Sequence, residues 1–460
     1  MDQRAHAASL PFQSEAPHVV VEPGDTLIAG GPESPVPPAL VSAEKFIPVD
    51  RSAIIERLLV RLFSPEERQE AREVLSYLCA LRQARSANML DELVELYDPF
   101  NPDDETLDHY KLSEDQRQAQ LLELKRKVDV LVKSANFEEV DDERLKRILT
   151  EESSHGFSAE VDLDEFDFHL LYFRGEVVEE RELRNWTTLW RKKTASIASY
   201  RRLFLALKLK PRETRIREMM QRENIERKVA EKRVDKARRN LLDGVSEDHL
   251  HLKMFRRIAR VDLRILFPNA RIKFNLFDKL MLWVGSGGST LFAIVMAGLK
   301  FVAAVAISLF FIVITLAGAI GAIVRSVMNF FNTRNRYMMK LAQSLYFHNL
   351  ASNQSVLALL NDEAEEEDIK EEALAYCFML KTPGDDALSD VQEAVQTFLH
   401  KEFGVVFNFD AEDAMHRLER DGLAEEVSPR VFRVPSLAEA RASMERRWNA
   451  TPVLGEVPIA

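Results

Sequence analysis

The sequence predicts a mainly α chain with a small α+β section, a two-pass transmembrane helical hairpin and a C-terminal winged-helix-like module. Three observations predict it. From Leu280 to Val324 the only charge is Lys300. Alternating and aromatic residues (Phe166, Phe168, Leu170, Tyr172) mark Val161–Phe173 as strand between stretches of helical period. Residues 387–448 read helix, short strand, helix, then strand–turn–strand, the winged-helix order.

Composition bounds the rest. The chain has 460 residues, with 74 Asp+Glu against 62 Lys+Arg, and its 46% apolar content excludes a disordered or fibrous bulk. Two cysteines, Cys79 and Cys377, exclude a disulfide scaffold and a Cys₄ metal site.

Residues 1–44 are rich in proline and lack periodicity, so they read as a disordered tail. Val19–Val21 is too short for a signal-peptide core, and Glu15, Glu22, Asp25 and Glu33 against Arg4 do not suit a mitochondrial presequence. Residues 45–135 form a helical region. Ser64-Pro65-Glu66-Glu67 starts a helix with a capping residue, an N1 proline and an N3 glutamate. A further helix starts at Ser113 with Gln116. Asp98 to Asp104 reads as a solvated turn without calcium-loop spacing.

Residues 136–270 are expected to form an α+β region. Arg174-Gly175 reads as a hairpin turn before Val177, and Trp186–Leu209 as further strands. Within 201–240 there are 15 Lys/Arg against 6 Asp/Glu in a chain whose net charge is −12. That segment reads either as a solvated, charge-laced helix or as a juxtamembrane helix touching anionic lipid headgroups. Its stretch from Lys210 to Asn240 lacks aromatics, so nucleic acid is not expected as a partner.

The hairpin section, 271–330, splits at Gly298–Lys300 into spans 280–299 and 301–324. As one helix the run would be ~67 Å long, over twice a ~30 Å hydrocarbon core. Basic residues on both flanks place both on the cytoplasmic side. Small residues at four-residue spacing (Gly285, Ser289, Ala293, Ala297) allow a homo-oligomer. Gly285-Ser286-Gly287-Gly288 lacks the spacing of a nucleotide loop.

Residues 331–382 form a helical region, with Asp362–Asp368, Glu371 and Glu372 read as a solvated face over Ile369, Ala373, Tyr376 and Leu380. Residues 383–448 form the winged-helix-like module. Its second helix, capped by Asp410 and ended by Gly422, is too acidic (Glu412, Asp413, Glu419, Asp421) to read DNA, which favours a protein contact. Residues 449–460 are a tail.

No metalloprotease, P-loop, nucleophile-elbow or paired-cysteine spacing occurs, so no catalytic, cofactor-binding or metal residue is predicted and no enzyme is expected. Asp162-Leu163-Asp164 reads as surface alternation on a strand. His249 and His251 could share a strand face but lack a carboxylate or Cys partner nearby. Glu365, Glu366 and Asp368 have helical di-metal spacing without a histidine among them.

Arg271-Ile272-Lys273-Phe274, Asp278-Lys279-Leu280, Asn332-Thr333-Arg334-Asn335-Arg336-Tyr337, Leu345-Tyr346 and Asp362-Glu363-Ala364 are motifs in an order of their own. So are Phe46-Ile47-Pro48 and Leu171-Tyr172-Phe173-Arg174-Gly175 upstream. Together they make the chain resemble the transmembrane protein 143-like family, built on a domain of unknown function, number 3754. The resemblance implies a membrane protein and brings no established activity or site residue. The expected function is a non-enzymatic, membrane-anchored scaffold with cytoplasmic N- and C-terminal regions and an unidentified protein partner. The alternative is an oligomeric channel or transporter component built from the hairpin. The expected location is multi-pass, in a bacterial inner membrane, or a mitochondrial membrane if the source is eukaryotic.

Overall fold

A computed structural model describes residues 45–103, 112–150, 157–183, 193–239, 245–274, 345–382 and 387–450, with Leu241, Gly321, Arg325, Met328, Asn332 and Met339. Helices α1 (Arg51–Leu62) and α2 (Arg68–Tyr97) are separated by the box at Ser64. The Ser64 N–H donates to Glu67 Oε2 at 3.0 Å and the Glu67 N–H to Ser64 Oγ at 3.4 Å. Two otherwise orphaned amides are thereby satisfied. The same device opens α3 (Glu114–Ser134) through Ser113 and Gln116. There follow β1 (Glu138–Glu139), α4 (Asp142–Thr150), β2 (Phe157–Glu160), β3 (Phe166–Leu183), β4 (Lys193–Leu209), α5 (Arg212–Glu223) and α6 (Arg227–Arg238). Beyond them lie β5 (Leu250–Ala259), β6 (Arg271–Phe274), β7 (Asn349–Ser352) and α7 (Gln354–Lys381). The last elements are α8 (Ala387–Phe403), α9 (Ala411–Arg420), β8 (Glu425–Ser428), β9 (Val431–Arg433) and α10 (Leu437–Ala450).

The main sheet has the order β1-β3-β4-β5-β7, with antiparallel neighbours throughout. Alternation along each strand gives it two apolar faces. Leu170, Tyr172, Phe204, Ala206, Leu252 and Met254 meet α2, α3 and the first half of α7. Leu171, Phe173, Leu203, Leu205, Leu207 and Phe255 meet α4 and the 260–267 turn. A third core joins α1, the first half of α2, the second half of α7, α8, α9 and α10. The 28 residues of α7, about 42 Å at 1.5 Å each, thus belong to two cores.

Several expectations are corrected. Among the described residues no helix is long and apolar enough to cross a membrane. Of the long helices, α2 carries charged residues along its length and α7 a run of them at its middle, where Glu363, Glu367 and Glu372 pair with Arg174, Lys370 and Arg82. The fold class is therefore helical with a five-stranded antiparallel sheet, and the two-pass transmembrane hairpin expected over 280–299 and 301–324 is withdrawn. Residues 275–320, which hold most of it, lie outside the described residues. The membrane-anchored scaffold, the channel or transporter component and the multi-pass bacterial inner-membrane or mitochondrial location fall with it.

Arg174-Gly175 is not a turn: β3 runs through it, paired with β4 from Phe166↔Leu209 to Leu183↔Lys193. Asp162-Leu163-Asp164 is not on a strand either, since Leu163–Glu165 is a single 3₁₀ turn capped by the Asp162 side chain. The basic segment 201–240 begins as the end of β4 and continues mostly as a helical pair, α5 and α6, closed over Ile216, Met219, Ala230 and Val234. The element order expected for 383–448 is present as α8, α9 and the β8–β9 hairpin, with an isolated bridge at Phe407 where a strand was expected. Its apolar side is shared with α1, α2 and α7 rather than closed on itself.

Gly175 has φ +70°, and a Cβ there would lie 2.9 Å from Arg201 Cδ and 3.0 Å from Phe46 Cε1. Gly175→Ala is expected to destabilise the fold by about 1–3 kcal/mol, because an L side chain resists this backbone region and has no space. Urea denaturation of the variant beside the parent protein checks this; an equal midpoint would contradict it.

Candidate functional site

The kink at Gly175 is repeated on the neighbouring strands. Phe173 packs in the core on the α4 side, and Glu176, three residues on, faces the same way to pair with Arg144 of α4 at 3.6 Å. On β4, Leu203 and Tyr200 share that core, and on β5 Phe255 and Ile258 do. Residues three apart on a regular strand point to opposite faces. The alternation therefore slips by one on all three strands, while Arg174↔Arg202↔Arg256 and Glu176↔Tyr200↔Ile258 stay in register. Arg257, at φ +50°, takes up the slip on β5 as Gly175 does on β3. A non-glycine residue in that region stores strain, which concentrates at functional positions.

The consequence is chemical. Between the slipped residues stand Arg201-Arg202 and Arg256-Arg257, and with Arg174 they line one cleft of about 600 Å³, closed by Phe46 and by Phe347-His348. Like charges directly across strands repel, so the array needs a counter-ion. Glu363 of α7 supplies one, reaching Arg174 at 3.0 Å and Arg202 at 3.1 Å. Arg174 is fixed further by donating to the Ala135 carbonyl at 3.1 Å and by lying over the Phe46 and Phe137 rings. Arg201 also lies over Phe46, its centroid 5.7 Å away, in the space that Gly175 leaves open. Arg256 Nε donates to the Phe347 carbonyl at 3.3 Å, and His348 Nδ1 lies 2.7 Å from the Arg256 carbonyl. Arg174 and Arg202 share the one Glu363 carboxylate, and among the described residues no acid pairs with Arg256 or Arg257. Guanidinium forks match phosphate and carboxylate oxygens bidentately, so the arrangement can hold a multiply charged anion.

A second charged cluster sits on α7, where the sequence suggests a solvated acidic face. It is buried instead: Glu363, Glu367 and Glu372 have relative exposures of 9%, 3% and 0%. Lys370 binds Glu367 at 3.0 Å, and the Glu367 carboxylate accepts from the Ile47 N–H at 2.9 Å. Further along, Arg82 of α2 bonds Glu372 and, at 2.9 Å, Asp421. Arg417 of α9 bonds Glu371 and Asp413 and lies 3.3 Å from Glu372 and 3.6 Å from Asp368. Asn136 donates to Glu371 at 3.0 Å. Burial raises Glu371 to about 7 and Glu372 to about 8, against the opposing pull of Arg417 and Arg82. Asp368 is raised by burial as well. Glu365, Glu366 and Asp368 are each committed to a different cation, so they do not assemble as a di-metal set: Glu365 faces Arg51 at 3.5 Å, Glu366 faces Lys370 at 3.0 Å and Asp368 faces Arg417 at 3.6 Å.

The remaining candidates are bound into the structure. Asp162, Asp164 and Glu165 hold Arg215 of α5. His249 and His251 stand edge to face with centroids 6.5 Å apart, and burial lowers His251 beside Lys253, an arrangement unsuited to a cation. Among the described residues His416, Glu419 and Glu426 offer ligand atoms within 4.8 Å of one another, all on exposed side chains. Gly285–Gly288 lies outside the described residues.

The sequence reading missed the arginine cleft. Its signal was present as Arg174-Gly175, Arg201-Arg202 and Arg256-Arg257, dipeptides that interrupt otherwise alternating strands. No solved structure matches the chain. Residues 187–355 match the family model described as a protein of unknown function (DUF3754), a span that includes Arg201, Arg202, Arg256, Arg257, Phe347 and His348. The chain thus carries this domain of unknown function, with four of the cleft's five arginines inside it.

Proposed function

We propose that the cleft binds a compact polyanion with adjacent phosphate groups, and that the chain serves as a binding module for it. The observation that carries this reading is the arginine array on three kinked strands, in which Arg174 and Arg202 share Glu363 while, among the described residues, no acid pairs with Arg256 or Arg257. A volume of about 600 Å³ suits a small phosphorylated molecule or a headgroup. Kinship with the transmembrane protein 143-like family is proposed on the order of motifs, supported by the match over 187–355; it adds no activity to the reading. Of the basic segment 201–240, from which an anionic contact is expected, Arg201 and Arg202 line the cleft. In α5 and α6, Arg212 pairs with Asp235, Arg215 with Glu165, Arg227 with Glu213 and Glu231, and Arg238 with Glu247.

Isothermal titration with inorganic triphosphate tests the reading. Saturable binding is expected at low ionic strength, weakening as salt screens the guanidiniums. Flotation with phosphatidylcholine vesicles containing a bisphosphorylated inositol lipid separates the sources: flotation that triphosphate displaces assigns a headgroup, and its absence assigns a free phosphate compound. No heat from triphosphate and no flotation would defeat the reading.

A further inference from the structure

Phe347, which lines the arginine cleft, and Tyr346, whose ring packs against that of Phe347, are two exposed aromatic residues. Tyr346 and Phe347 have relative exposures of 78% and 66%. Their centroids are 5.4 Å apart with planes at 82°, an edge-to-face pair. Scattered exposed apolar residues need no explanation, but two adjacent rings turned to solvent beside five arginines are a different case. Phe347 is not a loose end. Its carbonyl accepts from Arg256 and the next residue, His348, bonds the Arg256 backbone, so the rings are tied to the strand that supplies two of the arginines. Phe347 is also among the residues that line the cleft.

Resting on the polyanion reading, we infer that the ligand is a nucleoside polyphosphate whose base stacks on the Tyr346–Phe347 pair while its phosphates lie against Arg256 and Arg257, with Arg202 beside them. A planar ring on one end and adjacent charges on the other are the two features this site complements. The exposed rings gain by covering an apolar face, and Arg256 and Arg257, which no acid pairs with among the described residues, gain by neutralisation. A base of any identity offers the required π face, so the stacking half of the site has little base preference. An inorganic polyphosphate would satisfy only the arginines and leave both rings in water.

The test is a paired titration of the full chain with adenosine triphosphate and with inorganic triphosphate in the same buffer. Adenosine triphosphate is expected to bind about ten- to a hundredfold more tightly, the range for one base on an aromatic side chain. The Tyr346→Ala/Phe347→Ala double variant is expected to lose that advantage, its two affinities converging. Equal affinities on the parent protein, or an advantage that survives in the double variant, would overturn the inference and leave the polyanion reading in place. If neither compound binds, the polyanion reading fails and the inference with it.

Discussion

Arg417→Ala is expected to lower the unfolding free energy by about 3–5 kcal/mol at pH 9, where Glu371 and Glu372 are ionised in the folded chain, because it strands buried carboxylates without their partner. Arg417 joins α9 to α7 through Asp368, Glu371 and Glu372, with its side chain 9% exposed and Glu372 fully buried. The stabilising worth of the cluster as a whole is smaller than the penalty for breaking it, since desolvation offsets much of the attraction. A double-mutant cycle makes that distinction. In a Glu372→Gln background the loss from Arg417→Ala should shrink by at least about 1 kcal/mol, because one of the stranded charges is gone. Urea denaturation reads both values. A loss below about 1 kcal/mol in the parent background would show the cluster to be solvated.

The same cluster sets a pH dependence. Glu371 and Glu372 are raised from 4.5 to about 7 and about 8. An acid raised in the folded state holds its proton there at pH values where the unfolded chain has lost it. Stability is therefore fully present at low pH and declines as pH rises through the folded values. The groups facing them are Arg82 from α2, Asn136, Asp368 within α7, Asp413 and Arg417 from α9, and Asp421 beyond it. His251 works in the opposite sense: lowered by burial, it favours the fold as pH rises to 6.5. Between pH 6.5 and 8.5 the acids act alone of these, and the unfolding free energy should fall by about 2–3 kcal/mol, allowing for two acids that titrate as a coupled pair. The Glu371→Gln/Glu372→Gln variant should flatten the curve. A parent protein whose stability is constant or rising over that range would contradict the account.

Local signals carried through and non-local ones did not. Ser64 with Glu67 and Ser113 with Gln116 form reciprocal caps, and Asp410 and Gly422 bound α9, because each is settled within four residues of chain. Gly175 misled because a glycine at positive φ ends one strand pair and kinks another, and only the register with β4 decides which. The acidic run on α7 looks solvated from its own residues; Arg82 and Arg417 meet it from 290 and 45 or so residues away in sequence. The arginine cleft is harder still, since it exists only when three strands align Arg174, Arg202 and Arg256. The apolarity of 280–324 states how much that segment gains by leaving water, and not what it meets on doing so.

The central claim is an anion site whose charge is set by five arginines and restrained by Glu363. Titration of inorganic triphosphate into Arg256→Glu and Glu363→Gln proteins, each beside the parent chain, tests it most directly. The account predicts opposite signs. Arg256→Glu weakens binding about tenfold or more by inverting a charge at the cleft, and Glu363→Gln strengthens it by removing the built-in competitor for Arg174 and Arg202. Affinities that stay equal to the parent's in both proteins, or that shift in the same direction, would contradict it.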